Sequence, residues 1–494
     1  MVRHALNRLR HPTGSKARVA RASIAYAVAA VTQRAVGLLM LPIYVRVVGA
    51  TEYGQLAVAT TIAAAASTIL SFGLETAIFR TYIHLAPDPA KRDRFVNTIG
   101  IFLLAVPPVA VVALGLLLVR PLSSFFSMEP ETIGLALAGV ALTVPATILP
   151  MAVMRAQERL GDYLRVSVVT VVAHTGFMVG LVIVFRTGLN GWLLASILGA
   201  AVQLAAGLIL LRHQWTRSFD VALLMGVLAY GLPLIPHALS HWALALSDRA
   251  ILGAYVVPSQ IGIYNLAYQL ALPMGMLTVA MNQGIMAIYA EATHDQVRRR
   301  ELRGLASRQL VLTCLLGLAV ALLGPPTIRL VMPAEFAPAA DLLPWIAAGY
   351  TFFGLYLLPI NGVAVMAGKT RWIWIGTLTA GLVNIGLNLA TIPTFGTTAA
   401  AVNTAIAYGV LLVLLTAYQY RDAHAVVPLV WGRVGIALLV MGIGLLCAIL
   451  LLPDEGPAVI TFIGRSVVLI AVAAILWATL VRGFRRPSIS RGPT

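Results

Sequence analysis

Cysteine is nearly absent from this chain: Cys314 and Cys447 are the whole complement, each inside its own apolar run. Two isolated thiols build neither a disulfide framework nor a thiolate metal cluster, and both read as small packing residues. Charge is scarce as well, at 11% of 494 residues, and acids are scarcer still, 18 against 35 Lys and Arg. A soluble chain of this length needs more charge to cover its surface. The sequence contains no HExxH, no CxxC and no triad context, so covalent chemistry drops out and the chain reads as a non-enzyme. Gly362 to Thr370, GVAVMAGKT, comes close to the nucleotide-binding pattern GxxxxGK[ST]. Five residues separate its glycines, however, and it ends a membrane-length helix with no strand before it. Lys369 therefore reads as a topology charge, and no ATPase follows.

What the chain does have is apolar length. It is 60% hydrophobic with a mean hydropathy of +0.89, the composition of an all-α polytopic membrane protein. Fourteen runs of spanning length cover about 23–48, 53–85, 95–119, 132–154, 162–185, 191–212, 220–247, 258–291, 304–324, 338–367, 372–393, 397–419, 431–452 and 459–482. The polar loops 213–219 and 420–430 divide them into six, six and two. The expected organisation is a basic N-terminus (1–22), an N-lobe (23–212), a C-lobe (220–419), a helix pair (431–482) and a tail (483–494).

The net charge of +17 does not call for nucleic acid, because its placement explains it. Most Lys and Arg fall on alternate loops and both termini, among them Lys16, Arg18, Lys91, Arg92, Arg155, Arg298, Arg299, Arg300, Lys369, Arg371 and Arg485. That asymmetry is the positive-inside signal, and it places both termini in the cytoplasm.

The first run carries Gln33 and Arg34 near its midpoint. Arg34 lies about 17 Å along the helix from its cytoplasmic end, where a cation facing lipid costs at least about 2.5 kcal/mol. It is therefore expected to face a watery or protein-lined interior, either as a binding group or as a structural Arg inside the bundle. The two groups of six also read as copies. A shift of 203 or 204 residues lays Arg46 on Arg249, Tyr26 on Tyr230 and Gly49 on Gly253, each within one residue, and a shift of 208 lays Gly54 on Gly262. The same mapping sets the Gln33–Arg34 level against His237, and Glu75 against Gln283. Parallel repeats of this kind place a transport site at mid-membrane.

Three segments carry a family resemblance. LPIYVRVVGATEYGQLAVATTIAAAASTILSFGLETAIFRTY, with Tyr44, Arg46, Gly49, Glu52, Tyr53 and Gly54, resembles the opening of the Wzx-type polysaccharide and O-antigen flippases. These belong to the multidrug/oligosaccharidyl-lipid/polysaccharide exporter (MOP) superfamily. Asp248-Arg249 through Gly262-Ile263-Tyr264 resembles the opening of the family's second half, and Asn384-x3-Asn388 followed by Ile392-Pro393, Gly396 and Ala399-Ala400-Ala401 its helix 11–12 hairpin. The resemblance covers about 20–420, and the last two helices fit by position. It implies two pseudo-symmetric six-helix lobes around a cationic cavity in a bacterial cytoplasmic membrane. It also implies alternating-access transfer of a polyprenyl-diphosphate-linked oligosaccharide to the outer leaflet. Polysaccharide polymerase or glycosyltransferases are the protein partners this would bring.

Such a substrate needs cations for its diphosphate and hydrogen-bond partners for its sugar. Arg34 is the central candidate, since a guanidinium fork matches phosphate oxygens at two points. Arg80 could receive the headgroup first and Arg249 could release it, or both could snorkel to interfacial phosphate. Gln33, Gln283, His237 and His241 complete the candidate set. Glu75, about 15 Å deep, is expected to pair with Arg34 when the cavity is empty, or to couple proton movement. Pro42, Pro233, Pro236 and Pro273 favour kinks. Asn384 and Asn388 should bond to neighbouring helices rather than to sugar. No metal and no cofactor are called for. Proton or sodium coupling and the membrane potential remain alternative drives, and a lipid II flippase or a cation-coupled multidrug exporter are the alternative functions.

Overall fold

The computed structural model describes residues 15–85, 88–215, 218–293, 295–422, 425–452 and 457–478, with the side chains of 15–33 outside that description. The chain folds as helices α1 (Ser15–Leu70), α2 (Leu74–His84), α3 (Pro89–Phe126), α4 (Pro130–Ala156), α5 (Leu160–Met178), α6 (Gly188–Leu211) and α7 (Val221–Gly231). It continues as α8 (Ile235–Tyr255), α9 (Pro258–Glu291), α10 (Gln296–Val331), α11 (Ala339–Asn361), α12 (Arg371–Tyr420), α13 (Trp431–Leu451) and α14 (Ala458–Leu476). Among the described residues there is no strand.

Among the described residues, twelve helical stretches are long and apolar enough to cross a membrane. Two of them, Arg34–His84 with 51 residues and Arg371–Tyr420 with 50, are about 75 Å of helix, twice the need of a 30 Å core. Each is divided by a glycine in the left-handed region, Gly49 at φ 78° and Gly396 at φ 57°. Only glycine takes that backbone without strain, so these are the tips of two tight hairpins. Counting each divided stretch as a pair of passes brings twelve to the fourteen read from the sequence. Pro42 and Pro273 sit inside α1 and α9 without interrupting them, whereas Pro233 lies in a 3-10 turn at Leu232–Leu234.

The first compact unit holds residues up to Trp242 with Val257–Ser259, and the second holds Ala243–Val256 with the residues from Gln260 onward. The chain thus passes from one to the other inside α8, beyond the polar loop 213–219. In the first unit Glu52 accepts from the backbone N–H of Leu189 (2.8 Å), satisfying the start of α6, while Tyr44 and Tyr53 pack on Trp192. The conspicuous VGATEYG segment is therefore the docking of the first hairpin on α6. Asp88 caps α3 through the N–H of Lys91 (3.1 Å), and that bond holds its carboxyl below the usual carboxylate range.

Two linker bonds fall close to the offset of the repeat read from the sequence. The Thr98 hydroxyl of α3 accepts from the N–H of Asp220, the residue that caps α7. In the second unit the Ser307 hydroxyl of α10 accepts from the N–H of Val430, just before α13. The two bonds are offset by 209 residues at the hydroxyl and 210 at the linker, and each ties a six-span group to the helix that follows it. The second unit's hairpin at Gly396 is zipped by amides: Asn403 donates to Asn388 (2.9 Å) and Asn384 to the Thr404 hydroxyl (3.4 Å) across the arms, while Asn388 donates to Asn384 (3.0 Å) within one arm. Asn384 and Asn388 are fully buried and bond between the two arms of the hairpin.

Candidate functional site

The second membrane pass is broken at Ser71-Phe72-Gly73, between α1 and α2. Phe72 and Gly73 both adopt the left-handed region, at φ 52° and 63°, and the helix restarts at Leu74. The seventh pass, in the same unit, tightens into a 3-10 turn at Leu232–Leu234 between α7 and α8. The break and this turn touch. A Cβ on Gly73 would stand 2.2 Å from the Gly231 carbonyl oxygen, and one on Gly231 would stand 2.3 Å from the Phe72 carbonyl oxygen. Any side chain would force these backbones apart, so both positions require glycine. Irregular backbone inside a membrane is tolerated where it lines a cavity.

A cavity of about 390 Å³ lies at this crossing, walled by Ser67, Ser71, Glu75, Thr143, Thr147 and His237 among others. Restarting the helix at Leu74 puts Glu75 in a first turn, where the helix dipole favours a carboxylate. Arg155 sits in the last turn of α4, where the dipole favours a cation. Its Nη2 donates to Glu75 Oε1 at 2.5 Å, and the side chains keep 37% and 62% of their surface exposed. The Arg80 guanidinium lies 4.4 Å above the Tyr230 ring at the end of α7. The site thus offers hydroxyls, an imidazole and an accessible, carboxylate-held guanidinium, a set suited to phosphate and sugar oxygens. Among the described residues no group of three or more His, Cys, Asp or Glu stands ready to hold a metal ion.

The structure brings Glu75 and His237 together in this cavity, with Arg80 beside the crossing. Arg34 is exposed on α1 and is not among the cavity's lining residues. The Gln33 side chain lies outside the described residues. His241, one turn beyond His237, is exposed, as is Gln283 on α9 in the second unit. The expected Glu75–Arg34 pair is replaced by Glu75–Arg155. The reason is depth: Glu75 lies some 26 residues past the Gly49 turn, about 39 Å of helix, so it is near the end of its pass rather than the middle.

Arg249 also differs from its expected interfacial position. Its side chain is 7% exposed and pairs with Asp248 (3.1 Å), which is 1% exposed. Its Nε donates to Asn265 Oδ1 (3.1 Å), its Cζ lies 4.4 Å from the Tyr268 ring centre, and the Tyr264 hydroxyl donates to the other Asp248 oxygen. That is a buried, internally satisfied cluster. Sequence reasoning missed Arg155, which reads as one more positive-inside charge, and Ser67, Ser71, Thr143 and Thr147, which read as helix filler. Glu75 and His237 pointed toward the spot, and the small-aromatic-glycine interruption of an apolar run at 71–73 is the further signal that could have found it.

Among the described residues, an all-helical bundle with twelve stretches of spanning length defines a polytopic membrane protein. A family model described as "Polysaccharide biosynthesis protein" matches residues 19–288, more than half of the chain, and the chain belongs to that family. No curated protein matches it. Among solved structures it resembles the lipid II flippase MurJ in an inward closed conformation, with TM-score 0.73 and 13% identity over 93% of this chain and 100% of that one. It also resembles an inward-facing multidrug resistance MATE family transporter of the MOP superfamily (TM-score 0.62, 12% identity, 79% of this chain and 97% of that one). A third is a MOP superfamily transporter from Pyrococcus furiosus whose binding pocket is described as reversed in polarity (TM-score 0.55, 16% identity, 84% and 96%). The chain shares the fold of these solved structures.

Proposed function

We propose that this protein is a flippase, not an enzyme, that moves a polyprenyl-diphosphate-linked oligosaccharide from the cytoplasmic to the outer leaflet of a bacterial cytoplasmic membrane by alternating access. Membership of a polysaccharide-biosynthesis family supports the sugar, and the transporter fold supports the movement. The observation that carries the reading is the accessible Glu75–Arg155 pair beside a cavity edged with hydroxyls. A diphosphate entering there competes with Glu75 for the Arg155 guanidinium, to which it can bind at two points. Ser67, Ser71, Thr143 and Thr147 offer donors and acceptors to the first sugar, and His237 adds a third kind of phosphate partner.

Arg80 and Arg34 stand on the same unit as further cations for the headgroup, with Gln33 and His241 as polar candidates and Gln283, the repeat's counterpart of Glu75, in the second unit. Arg249 is left out of the binding set, because its guanidinium already satisfies a buried carboxylate. Outward movement of two negative charges from a negative interior gains about 4–5 kcal/mol at 100 mV, enough to bias flipping without ATP. Glu75 remains the candidate for proton coupling, with sodium as the alternative ion.

The test is flipping of defined lipid-linked substrates in liposomes by wild type, Arg155→Ala and Arg34→Ala. Loss of transport in Arg155→Ala with retained fold supports the site, and undiminished transport removes it. Running the assay with a lipid-linked oligosaccharide, with lipid II and with a cationic drug separates the three substrate readings.

A further inference from the structure

The stretch GVAVMAGKT, which imitates a nucleotide motif without its spacing, builds a second site of its own in the second unit. Gly362–Met366 is π-helical, and the widened turn lets the N–H of Ala367 reach the Gly362 carbonyl (3.0 Å). Gly368 then enters the left-handed region at φ 67°, and the N–H of Lys369 returns to the Val363 carbonyl (2.9 Å). This reversal ends the tenth pass and starts α12 at Arg371. The linker after α12 passes over it: a Cβ on Gly362 would stand 2.1 Å from the Ala425 carbonyl oxygen. The glycine is there so that the linker can close down.

The reversal and the linker enclose a cavity of about 210 Å³, whose walls include Lys369, Trp372, Tyr418, Arg421 and Asp422. Two cations face one carboxylate. Lys369 Nζ is 3.0 Å from Asp422 Oδ2 and still half exposed, so it is held in place yet reachable. The Trp372 and Tyr418 rings stack at 4.0 Å and 29°, forming a flat apolar wall. Arg421 lies 5.6 Å from the Tyr418 ring centre, and Arg371 lies 5.8 Å from that of Trp372. The same end of the unit carries the basic start of α10, where Arg299 and Arg303 donate to the carbonyls of Val426 and Leu429.

The geometry points to a binding site for the phosphate of an anionic phospholipid headgroup at this end of the second unit. Net positive walls select an anion. The volume, about seven water molecules' worth, takes a phosphate with a few attached carbons. A stacked Trp–Tyr pair belongs at the level where headgroups lie, and basic pockets between helices at that level hold anionic headgroups. This inference does not depend on what the protein transports.

The experiment counts bound lipid by native mass spectrometry on the full chain in neutral detergent. It is titrated with dioleoyl phosphatidylglycerol, with dioleoyl phosphatidylcholine, and with phosphatidylglycerol in competition with glycerol 3-phosphate. Phosphatidylglycerol is expected to bind more tightly than phosphatidylcholine. Each cation removed should weaken it about fivefold, so Lys369→Gln with Arg421→Gln brings it close to the phosphatidylcholine level. Arg298→Gln, on the same face but outside the cavity, should leave it unchanged. Should the double variant fail to fold, Arg421→Gln alone reads the same effect at half its size. Displacement by millimolar glycerol 3-phosphate would assign the phosphate site to a soluble ester. Equal binding of both lipids by wild type, or equal phosphatidylglycerol binding by wild type and a folded variant, overturns the proposal.

Discussion

Glu75–Arg155 and Asp248–Arg249 are the same chemical pair in opposite settings. The first joins residues 80 positions apart on two helix ends and leaves 62% of the Glu side chain and 37% of the Arg exposed. The second joins neighbours on one helix and leaves 1% and 7%. In the buried pair every acceptor has a donor: Tyr264 and the Arg249 N–H reach Asp248, while Asn265 and the Tyr268 ring face Arg249. The Arg249 Nε and Nη1 are already engaged by partners inside the protein. The accessible pair adds little to stability, but its guanidinium can change partners. An arginine inside a membrane protein is thus a candidate for phosphate only where its present partner is replaceable.

Breaking the buried pair should have the largest effect. Arg249→Ala strands the Asp248 carboxylate and should cost about 3–5 kcal/mol, read as a lost or sharply lowered thermal transition in detergent. The paired change Asp248→Leu with Arg249→Met should recover most of that loss, since the desolvation cost disappears with the charges. Next comes the crossing of the second and seventh passes. Gly231→Ala, with its Cβ 2.3 Å from the Phe72 carbonyl oxygen, should destabilise by about 1–3 kcal/mol. Gly226→Ala on the same helix has nothing within 4 Å and should be neutral or slightly stabilising.

Breaking the accessible pair should invert the pattern of the buried one. Arg155→Ala should shift stability by no more than about 1 kcal/mol while lowering the flipping rate tenfold or more. If its thermal loss matches that of Arg249→Ala, the contrast between the pairs is gone. Smallest of all is Tyr230→Leu, which removes the ring beneath Arg80 and should cost about 0.5–1 kcal/mol by thermal unfolding, with Tyr230→Phe close to wild type.

Most of the fold was legible because the signals are local. Apolar runs of spanning length and the polar linkers each act within a few residues, and they yield the passes, while Gly49 and Gly396, legible as motif residues, prove to be the hairpin tips. Glu52 was recognisable as a motif residue but not as a helix cap, whereas Asn384 was expected to bond to a neighbouring helix and does so across the hairpin. The site was less legible. Glu75 and His237 were singled out for polarity inside apolar runs, and they do share a cavity. Arg155 hid among the topology charges, because positive-inside counting gives every loop cation the same meaning. Arg249 drew attention as an interfacial cation matched to Arg46, and its neighbour Asp248 already answered the charge.

By itself the sequence determined the helices, their number and the glycines at which they turn, because backbone bonds in lipid must close within each segment. Tertiary structure alone decided which charges meet. It set Glu75 against Arg155 and not Arg34, brought Gly73 onto Gly231, and gave Lys369 a walled cavity. The physical reason is range. Helix formation is settled by neighbours within four residues, whereas an ion pair or a cavity depends on how segments tens of residues apart come to rest against one another.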